Sequence, residues 1–277
     1  MKILNRRLRA RELPEKVFHG GLKILTALYL FKNPLSLITH YLARSSPADK
    51  CIRFRDGRQM KLSNHDLDVI VLFQVFCERV YGRKRNNSIV LDVGAHIGSF
   101  ALYAAFNGAK KIYAFEPNAE AYGCMLQNIE RNELGGTIVP FRFAVTGKSN
   151  ETVRIPIAAS PQNHLSRQAI EDEDKNYESV GAISLNDILI KEDISCIDLL
   201  KLDCEGSEYD IIAATDAATF AKVREIILEY HDNRVEEIVN ALKSHGFHLT
   251  KHKPETEKMG MLWFNREQQR KGAVDEN

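Results

Sequence analysis

Two acidic residues and two glycines early in the chain have a spacing that suits a nucleotide-like ligand. Asp92 and Glu116 each end a short apolar run. Gly94 and Gly98 follow Asp92 and precede a helix-like stretch. A strand, a glycine turn, a helix and a second strand with a terminal acid are typical of half of a nucleotide-binding βαβαβ unit. The sequence therefore predicts a ligand on this turn.

The details of the turn indicate which ligand it binds. A dinucleotide site needs the pattern G-x-G-x-x-G, but His96 stands where the middle glycine would be, and Asp92 would repel phosphates. S-adenosylmethionine has no phosphate, and its sulfonium and amino groups are positive, so a carboxylate suits it. Glu116 follows Gly94 by 22 positions, as expected for an acid that accepts both ribose hydroxyls. The alternative is that both acids only cap helices.

Composition excludes several classes of protein. The 277 residues carry a formal net charge of +1, which gives no overall electrostatic case for a nucleic-acid partner. The five cysteines are odd in number and scattered, as is typical of buried thiols in a reducing compartment. No CxxC pair or His/Cys cluster indicates structural zinc. These features favour a cytoplasmic location.

The first 48 residues are basic and differ from the rest. They show no signal peptide, and charged residues and a proline interrupt the apolar stretch over 22–42, so a membrane-spanning helix is not expected. The pattern favours two short helices broken at Asn33 and Pro34. We expect them to pack on the domain, because apolar helix faces usually belong to a core. Peripheral contact with an anionic membrane surface is the alternative.

Later patterns predict an α/β fold. An Asp-Gly pair at 56–57 predicts a hairpin, and helical spacing over 66–81 predicts a helix with Gly82 as its C-cap. Apolar runs then alternate with helical patterns, and the third core strand is expected over 137–145. The polar residues 160–180 are expected to form a mobile loop or a lid. Such alternation predicts a mostly parallel sheet covered on both faces, with its ligand at the carboxyl ends of the strands.

Four motifs together resemble the FkbM-type methyltransferases. They are DVGAHIG, FEP, LLKLDCEGSE and LEYH, and the resemblance runs from about Cys51 to Phe264. It implies a Rossmann-like class I methyltransferase fold, with a seven-stranded sheet whose last strand is antiparallel. It also implies S-adenosylmethionine as methyl donor and a hydroxyl of a sugar, polysaccharide or small natural product as acceptor. His96 departs from the family pattern, in which asparagine is commoner.

The resemblance also suggests boundaries and site residues. The expected parts are a basic helical extension (1–48), a methyltransferase domain (49–265, with a hairpin and helix in 49–82 and the core in 88–265) and a polar tail (266–277). The expected contacts to the methionine half of the cofactor are Asp92, Gly94, Ala95, His96 and Gly98. Glu116 is expected to contact the ribose. The residues expected to contact the adenine are Pro117, Asn118, Ala144 and Val145.

Three residues near later strand ends are candidates for the chemistry. Asp203 is the favoured contact to cofactor or acceptor. His231 titrates nearest neutrality and is the natural general base, although a lone histidine after a strand is more often structural. Glu205 is a further candidate base, or else a cap for the helix that starts near Ser207. Lys201 could pair with one of these carboxylates.

Other readings of the sequence remain open at this stage. No metal site is predicted, since no adjacent Asp-Asn pair supports a divalent ion at Asp203. A NAD(P)-dependent oxidoreductase and a non-catalytic module that docks a partner or a membrane are the alternative functions. The expected partner is a small-molecule or glycan acceptor. The sequence does not identify it, and it does not give the oligomeric state.

Overall fold

The computed structural model describes residues 12–82, 86–157 and 176–266. The chain divides into two compact units after Gly82. The hairpin and the following helix lie in the first unit, and the boundary at residue 48 stays a prediction. The predicted tail beyond Arg266, the residues before Glu12 and most of the predicted loop lie outside the described residues.

The first unit has a helical and hairpin architecture. The break between the helices at Asn33 and Pro34 is confirmed, with Pro34 in the first turn of the second helix. The predicted hairpin is also confirmed. The predicted third helix ends at Arg79, which adopts a left-handed conformation, and not at Gly82. Its elements are α1 (Glu12–Leu30), α2 (Pro34–Ala43), β1 (Cys51–Arg53), β2 (Gln59–Lys61), α3 (Asp68–Leu72) and a π-helical continuation (Phe73–Glu78).

An aromatic core explains why the hairpin joins the helices of the first unit. The rings of Phe31 and Phe54 are 5.0 Å apart, and Phe54 lies 5.0 Å from Phe76. On the outer faces of α1 and α2, by contrast with this buried core, the large apolar side chains of Tyr29 and Leu35 are exposed. None of the described helices is long and apolar enough to cross a membrane. Because these apolar side chains are exposed, α1 and α2 are only partly packed. Peripheral contact with a membrane stays a prediction.

The second unit alternates strands and helices. Its strands are β3 (Ile89–Val93), β4 (Lys111–Phe115), β5 (Ile138–Phe141), β6 (Ala144–Thr146), β7 (Thr152–Pro156), β8 (Tyr177–Ser184), β9 (Ile197–Leu202), β10 (Val223–Tyr230), β11 (Phe247–Pro254) and β12 (Gly260–Arg266). Its helices are α4 (Ser99–Phe106), α5 (Ala119–Arg131), α6 (Leu185–Lys191), α7 (Glu208–Ala214), α8 (Ala217–Ala221) and α9 (Val235–Ser244).

Seven of these strands form the main sheet, in the order β5-β4-β3-β9-β10-β12-β11. The five strands from β5 to β10 are parallel, and β12 is antiparallel to both of its neighbours. This confirms the predicted sheet with an antiparallel last strand. The strand order reverses between β3 and β9, and right-handed crossovers on either side of such a reversal place helices on opposite faces. Open α/β sheets bind ligands in the crevice outside this switch point.

The third predicted strand is two strands. β5 ends at Phe141, and β6 belongs to a separate three-stranded sheet with β7 and β8. Pro140 lies in β5, which is an edge strand of the main sheet, where the missing N–H of a proline is tolerated. Ala144 and Val145 are therefore buried in β6 and do not end the third strand of the main sheet.

Candidate active site

The glycine turn after β3 brings two strand ends together. Gly94 has a φ of +77°, and a β-carbon there would lie 1.7 Å from the carbonyl oxygen of Asp203. The amides of Gly94 and Ala95 both donate to the carbonyl of Phe115, at 3.0 and 2.9 Å. Gly98 also has a positive φ and caps α4. A side chain at position 94 would therefore collide with the backbone at the end of β9. Glycine avoids this collision and keeps the turn at the switch point, where such sheets bind ligands.

Glu116 lies buried at the end of β4 and faces this turn. Its Oε2 accepts from the His96 amide at 2.7 Å, and its Oε1 accepts from the Asn118 amide at 2.8 Å. Burial raises the pKa of Glu116 to about 7, although the two backbone hydrogen bonds oppose this shift. Each carboxylate oxygen has a second lone pair, so the group can accept two further hydrogen bonds. His96 has a φ of +52°, a left-handed conformation that is uncommon for residues other than glycine.

Asp92 supports the turn from behind. Its side chain is fully buried, and the Lys201 ammonium lies 3.0 Å from its Oδ1. Lys201 occupies the position paired with Asp92 across β3 and β9, and its Nζ donates to the Gly94 carbonyl at 2.6 Å. Lys201 was predicted to pair with Asp203 or Glu205; it lies 3.7 Å from Asp203, and its closer partner is Asp92. Asp92 is enclosed and paired with Lys201, and contact of its carboxylate with the amino group of the ligand stays a prediction.

A second constellation forms where β9 and β10 end. Glu208 is fully buried, and its two oxygens accept from the amides of Cys204 and Gly206, both at 2.8 Å. The same side chain lies 3.3 Å from Nδ1 of His231. Glu208, the first residue of α7, therefore fixes the turn that leads into this helix, and the helix-capping role considered for Glu205 stays a prediction. The sequence contained the signal, since Glu208 ends the LLKLDCEGSE motif, but no role was predicted for it.

The environment of His231 favours its charged form. Burial opposes protonation, but the hydrogen bond with Glu208 and the nearby carboxylates outweigh it and raise the pKa of His231 to about 9. In turn, Glu208 is buried, yet His231 and the backbone amides hold its pKa below the usual value. An ionised carboxylate only accepts hydrogen bonds, so Nδ1 of His231 carries a proton and Nε2 points away from Glu208.

Two further carboxylates surround Nε2 of His231. Glu205 lies 3.4 Å from it and Glu229 lies 4.0 Å from it. Burial raises the pKa of Glu205 to about 7 and that of Glu229 to about 8, and the negative charge of Asp203 adds to both shifts. Sequence reasoning missed Glu229, although it stands in the LEYH motif. The three predicted residues Asp203, Glu205 and His231 do come together, with ligand atoms within 4.8 Å of one another.

The residues expected at the adenine have mixed positions. Asn118 caps α5 through a hydrogen bond from the Ala121 amide at 3.0 Å. Its amide nitrogen donates to the carbonyls of Pro156 and Ile157, at 2.9 and 2.8 Å. The side chain thus joins the two sheets, the backbone N–H of Asn118 donates to Glu116, and contact of Asn118 with adenine stays a prediction. Contacts of Pro117 and of the two β6 residues with adenine stay predictions.

Comparison with known proteins gives a consistent picture. The family model described as "Methyltransferase FkbM domain" matches residues 92–249, more than half of the chain. The 31-O-demethyl-FK506 methyltransferase FkbM of Streptomyces tacrolimicus is 26% identical over 63% of this chain and 79% of that protein. Methyltransferase sdnD of Sordaria araneosa is 26% identical over 66% and 83%.

Solved structures show a more distant similarity. Magnesium protoporphyrin IX methyltransferase (ChlM) from Synechocystis with bound SAH covers 72% of this chain and 83% of that one, with 13% identity and a TM-score of 0.44. TrmK of M. capricolum in complex with S-adenosyl-homocysteine covers 68% and 66%, with 16% identity and a TM-score of 0.42.

Proposed function

The chain belongs to the FkbM methyltransferase family, and from this premise we propose that it transfers a methyl group from S-adenosylmethionine to a hydroxyl group of a small natural product or a sugar. Family membership replaces the oxidoreductase alternative. The geometry of the carboxyl edge of the sheet supports the choice of cofactor, and the chemistry of the acidic side chains near His231 supports the hydroxyl acceptor.

The observation that carries the proposal is the fit of Glu116 to a ribose. The buried carboxylate keeps two acceptor positions after its bonds to the His96 and Asn118 amides. A ribose presents two adjacent hydroxyl donors. Beside Glu116, the backbone of the Gly94 turn packs directly against the backbone of Asp203. The carboxylate of the nearby Asp92 is neutralised by its ion pair with Lys201. Asp203 is partly exposed and lies 3.7 Å from Lys201, and its carboxylate is the group that we expect to meet the positive amino group or sulfonium of the cofactor.

The protein's share of the reaction is alignment and proton uptake. The cofactor supplies a methyl group on a sulfonium, which is a good leaving group, so positioning of the acceptor oxygen behind that methyl is the main requirement. Glu205 and Glu229 have pKa values of about 7 and 8, so a part of each population is ionised near neutral pH and able to accept the hydroxyl proton. His231 has a pKa of about 9 and is held as a cation by Glu208, so it does not fit the predicted role of base.

Two observations support the proposed class of acceptor, namely the substrate of a relative and the negative charge of the site. The Streptomyces relative is a 31-O-demethyl-FK506 methyltransferase. The acceptor side here carries the carboxylates of Asp203, Glu205 and Glu229. Like charges repel strongly in a partly buried site, so we expect a neutral hydroxyl acceptor and no anionic one. Screening neutral polyols, macrolides and sugars with radiolabelled cofactor would test this expectation.

Glu116→Gln should weaken binding of S-adenosylhomocysteine by about 5- to 150-fold, equivalent to roughly 1–3 kcal/mol. The amide nitrogen of glutamine would face the N–H of His96 or Asn118, and one acceptor of the ribose diol would be lost. Because the pKa of Glu116 is about 7, wild-type affinity should rise between about pH 6 and pH 8 as the carboxylate ionises. Calorimetric titration across this range measures both effects.

The exposed variant Glu130→Gln is the matched control, and its affinity should equal that of the wild type. The affinity of Glu116→Gln should not change with pH over the same range. Failure of the wild-type protein to bind the cofactor product at millimolar concentration would refute the proposed function.

A further inference from the structure

The side chains near His231 have an arrangement that the methyl transfer alone does not require. We propose that Asp203, Glu205 and His231 bind a divalent cation of the Mn²⁺ class, which in turn holds the methyl acceptor. The ligand atoms of the three side chains lie within 4.8 Å of one another. The inference rests on the proposed function for its consequence, but the binding of the cation can be measured by itself.

The orientation of His231 distinguishes this group from a simple acidic cluster. Its Nδ1 lies 3.3 Å from Glu208, whose side chain is fully buried and fixed by two backbone amides. A histidine that binds a metal through one nitrogen usually donates its other N–H to such a carboxylate. When a metal ion displaces the Nε2 proton of the charged imidazole, this bond keeps the proton on Nδ1, and the lone pair that becomes free on Nε2 faces Glu205.

The distances are close to those of a metal site. Ligands about 2.1 Å from a small divalent ion lie about 3 Å apart when adjacent and about 4.2 Å apart when opposite. Nε2 of His231 and Oε2 of Glu205 are 3.4 Å apart. Small side-chain movements would therefore close the three groups around an ion. Lys201 lies 3.7 Å from Asp203 but is closer to Asp92, at 3.0 Å.

The charge of the region also favours a cation. Asp203, Glu205 and Glu229 converge on one histidine, and Glu208 already accepts the hydrogen bond of that histidine. Lys201 is engaged by Asp92. Three carboxylates in a partly buried place repel one another, and a divalent ion would turn this repulsion into attraction. One imidazole and two carboxylates suit Mn²⁺ and related first-row metals.

The proposed ion defines the acceptor more narrowly. Three protein ligands leave positions open on the metal, and two adjacent oxygens, as in a vicinal diol or a hydroxy-carbonyl group, would fill them by chelation. Metal binding lowers the pKa of a hydroxyl. Its oxygen then forms the new bond to the methyl carbon, while the carbon–sulfur bond breaks and sulfur keeps the electron pair. The hydroxyl proton passes to Glu229, which lies outside the ligand set.

Titration of the chelator-treated full-length protein with Mn²⁺, followed by electron paramagnetic resonance, tests the proposal. We expect one ion per chain in the wild type. Glu205→Gln should remove most of the binding. Glu208→Gln, which alters the partner of His231 and one of the two backbone hydrogen bonds that Glu208 accepts, should weaken it by about 10- to 100-fold. The exposed variant Glu130→Gln should bind as the wild type does. Circular dichroism confirms that each variant is folded.

Two results would overturn the metal site. One is a wild-type dissociation constant for Mn²⁺ weaker than about 1 mM. The other is equal binding by the wild type and the Glu205→Gln protein, which would place the ion elsewhere. Binding of S-adenosylhomocysteine to the wild type and to Glu205→Gln, measured on the same chelated samples, separates this failure from failure of the proposed function, because Asp203 is the one metal ligand that is also proposed to contact the cofactor and it is unchanged in both proteins.

Discussion

Gly94→Ala should abolish measurable binding of S-adenosylhomocysteine and should lower the free energy of unfolding by about 3 kcal/mol or more. The added β-carbon would lie 1.7 Å from the Asp203 carbonyl oxygen, and the φ of +77° would strain any residue other than glycine. The obstacle is backbone, so no side-chain rotation relieves it. The strand ends of β3 and β9 must therefore separate, which opens the turn that faces Glu116. Urea unfolding and calorimetric titration measure the two losses.

Gly135→Ala is the matched control for this substitution. A β-carbon at Gly135 would meet nothing within 4 Å, and its φ is not in the left-handed range. We expect its cofactor affinity to equal that of the wild type, with stability changed by less than about 1 kcal/mol. Wild-type affinity in the Gly94→Ala protein would contradict the close approach of the two strand ends.

Lys201→Met should cost about 3–5 kcal/mol of stability, because it leaves the enclosed carboxylate of Asp92 without its ion pair. Burial raises the pKa of Asp92, and Lys201 counteracts that shift in the wild type. In the variant the folded pKa of Asp92 therefore lies further above its unfolded value. Stability from such a group is lost as pH rises through the folded pKa, so the deficit should be smaller near pH 4 than at pH 8. Urea unfolding at several pH values measures this.

Two further proteins separate the ion pair from other effects of the lysine. The double variant Asp92→Leu, Lys201→Met replaces the pair by apolar groups and should regain much of the lost stability. Lys110→Met removes an exposed lysine and should change stability by less than about 0.5 kcal/mol. A loss below about 1 kcal/mol in Lys201→Met would show that Asp92 is not dependent on Lys201.

Features set by local sequence were predicted well. Asp92, Glu116 and His231 were expected at or just after strand ends, and they lie there because the end of an apolar run is a local signal. Asn33 and Pro34 marked the break between α1 and α2, because proline cannot continue a helix. The choice between two nearby acids was not local. Glu205 and Glu208 both precede or start α7, and the left-handed turn at Glu205 decides that Glu208 reaches the amides.

Long-range packing explains the remaining differences. The hairpin and the helix that follows it group with α1 because Phe54 and Phe76 pack with Phe31, a contact that no local pattern reveals. The predicted third strand over 137–145 looked continuous, since its alternation does not reveal that β6 leaves the main sheet to pair with β8. The burial of Asp92 also depends on its neighbour across the sheet, Lys201, which no local pattern identifies.

The pairing of β3 with β9 has a consequence for the order of folding. Asp92 and Lys201 are adjacent in the sheet but 109 positions apart in the sequence. A nascent chain that has emerged only as far as β5 holds the glycine turn and Glu116, but it leaves Asp92 without its cation. The entropy of closing so long a loop must be met before that contact contributes. The glycine turn after β3 and the end of β9 together form the cofactor cleft. They therefore reach their final arrangement late in folding, once β9 has inserted beside β3.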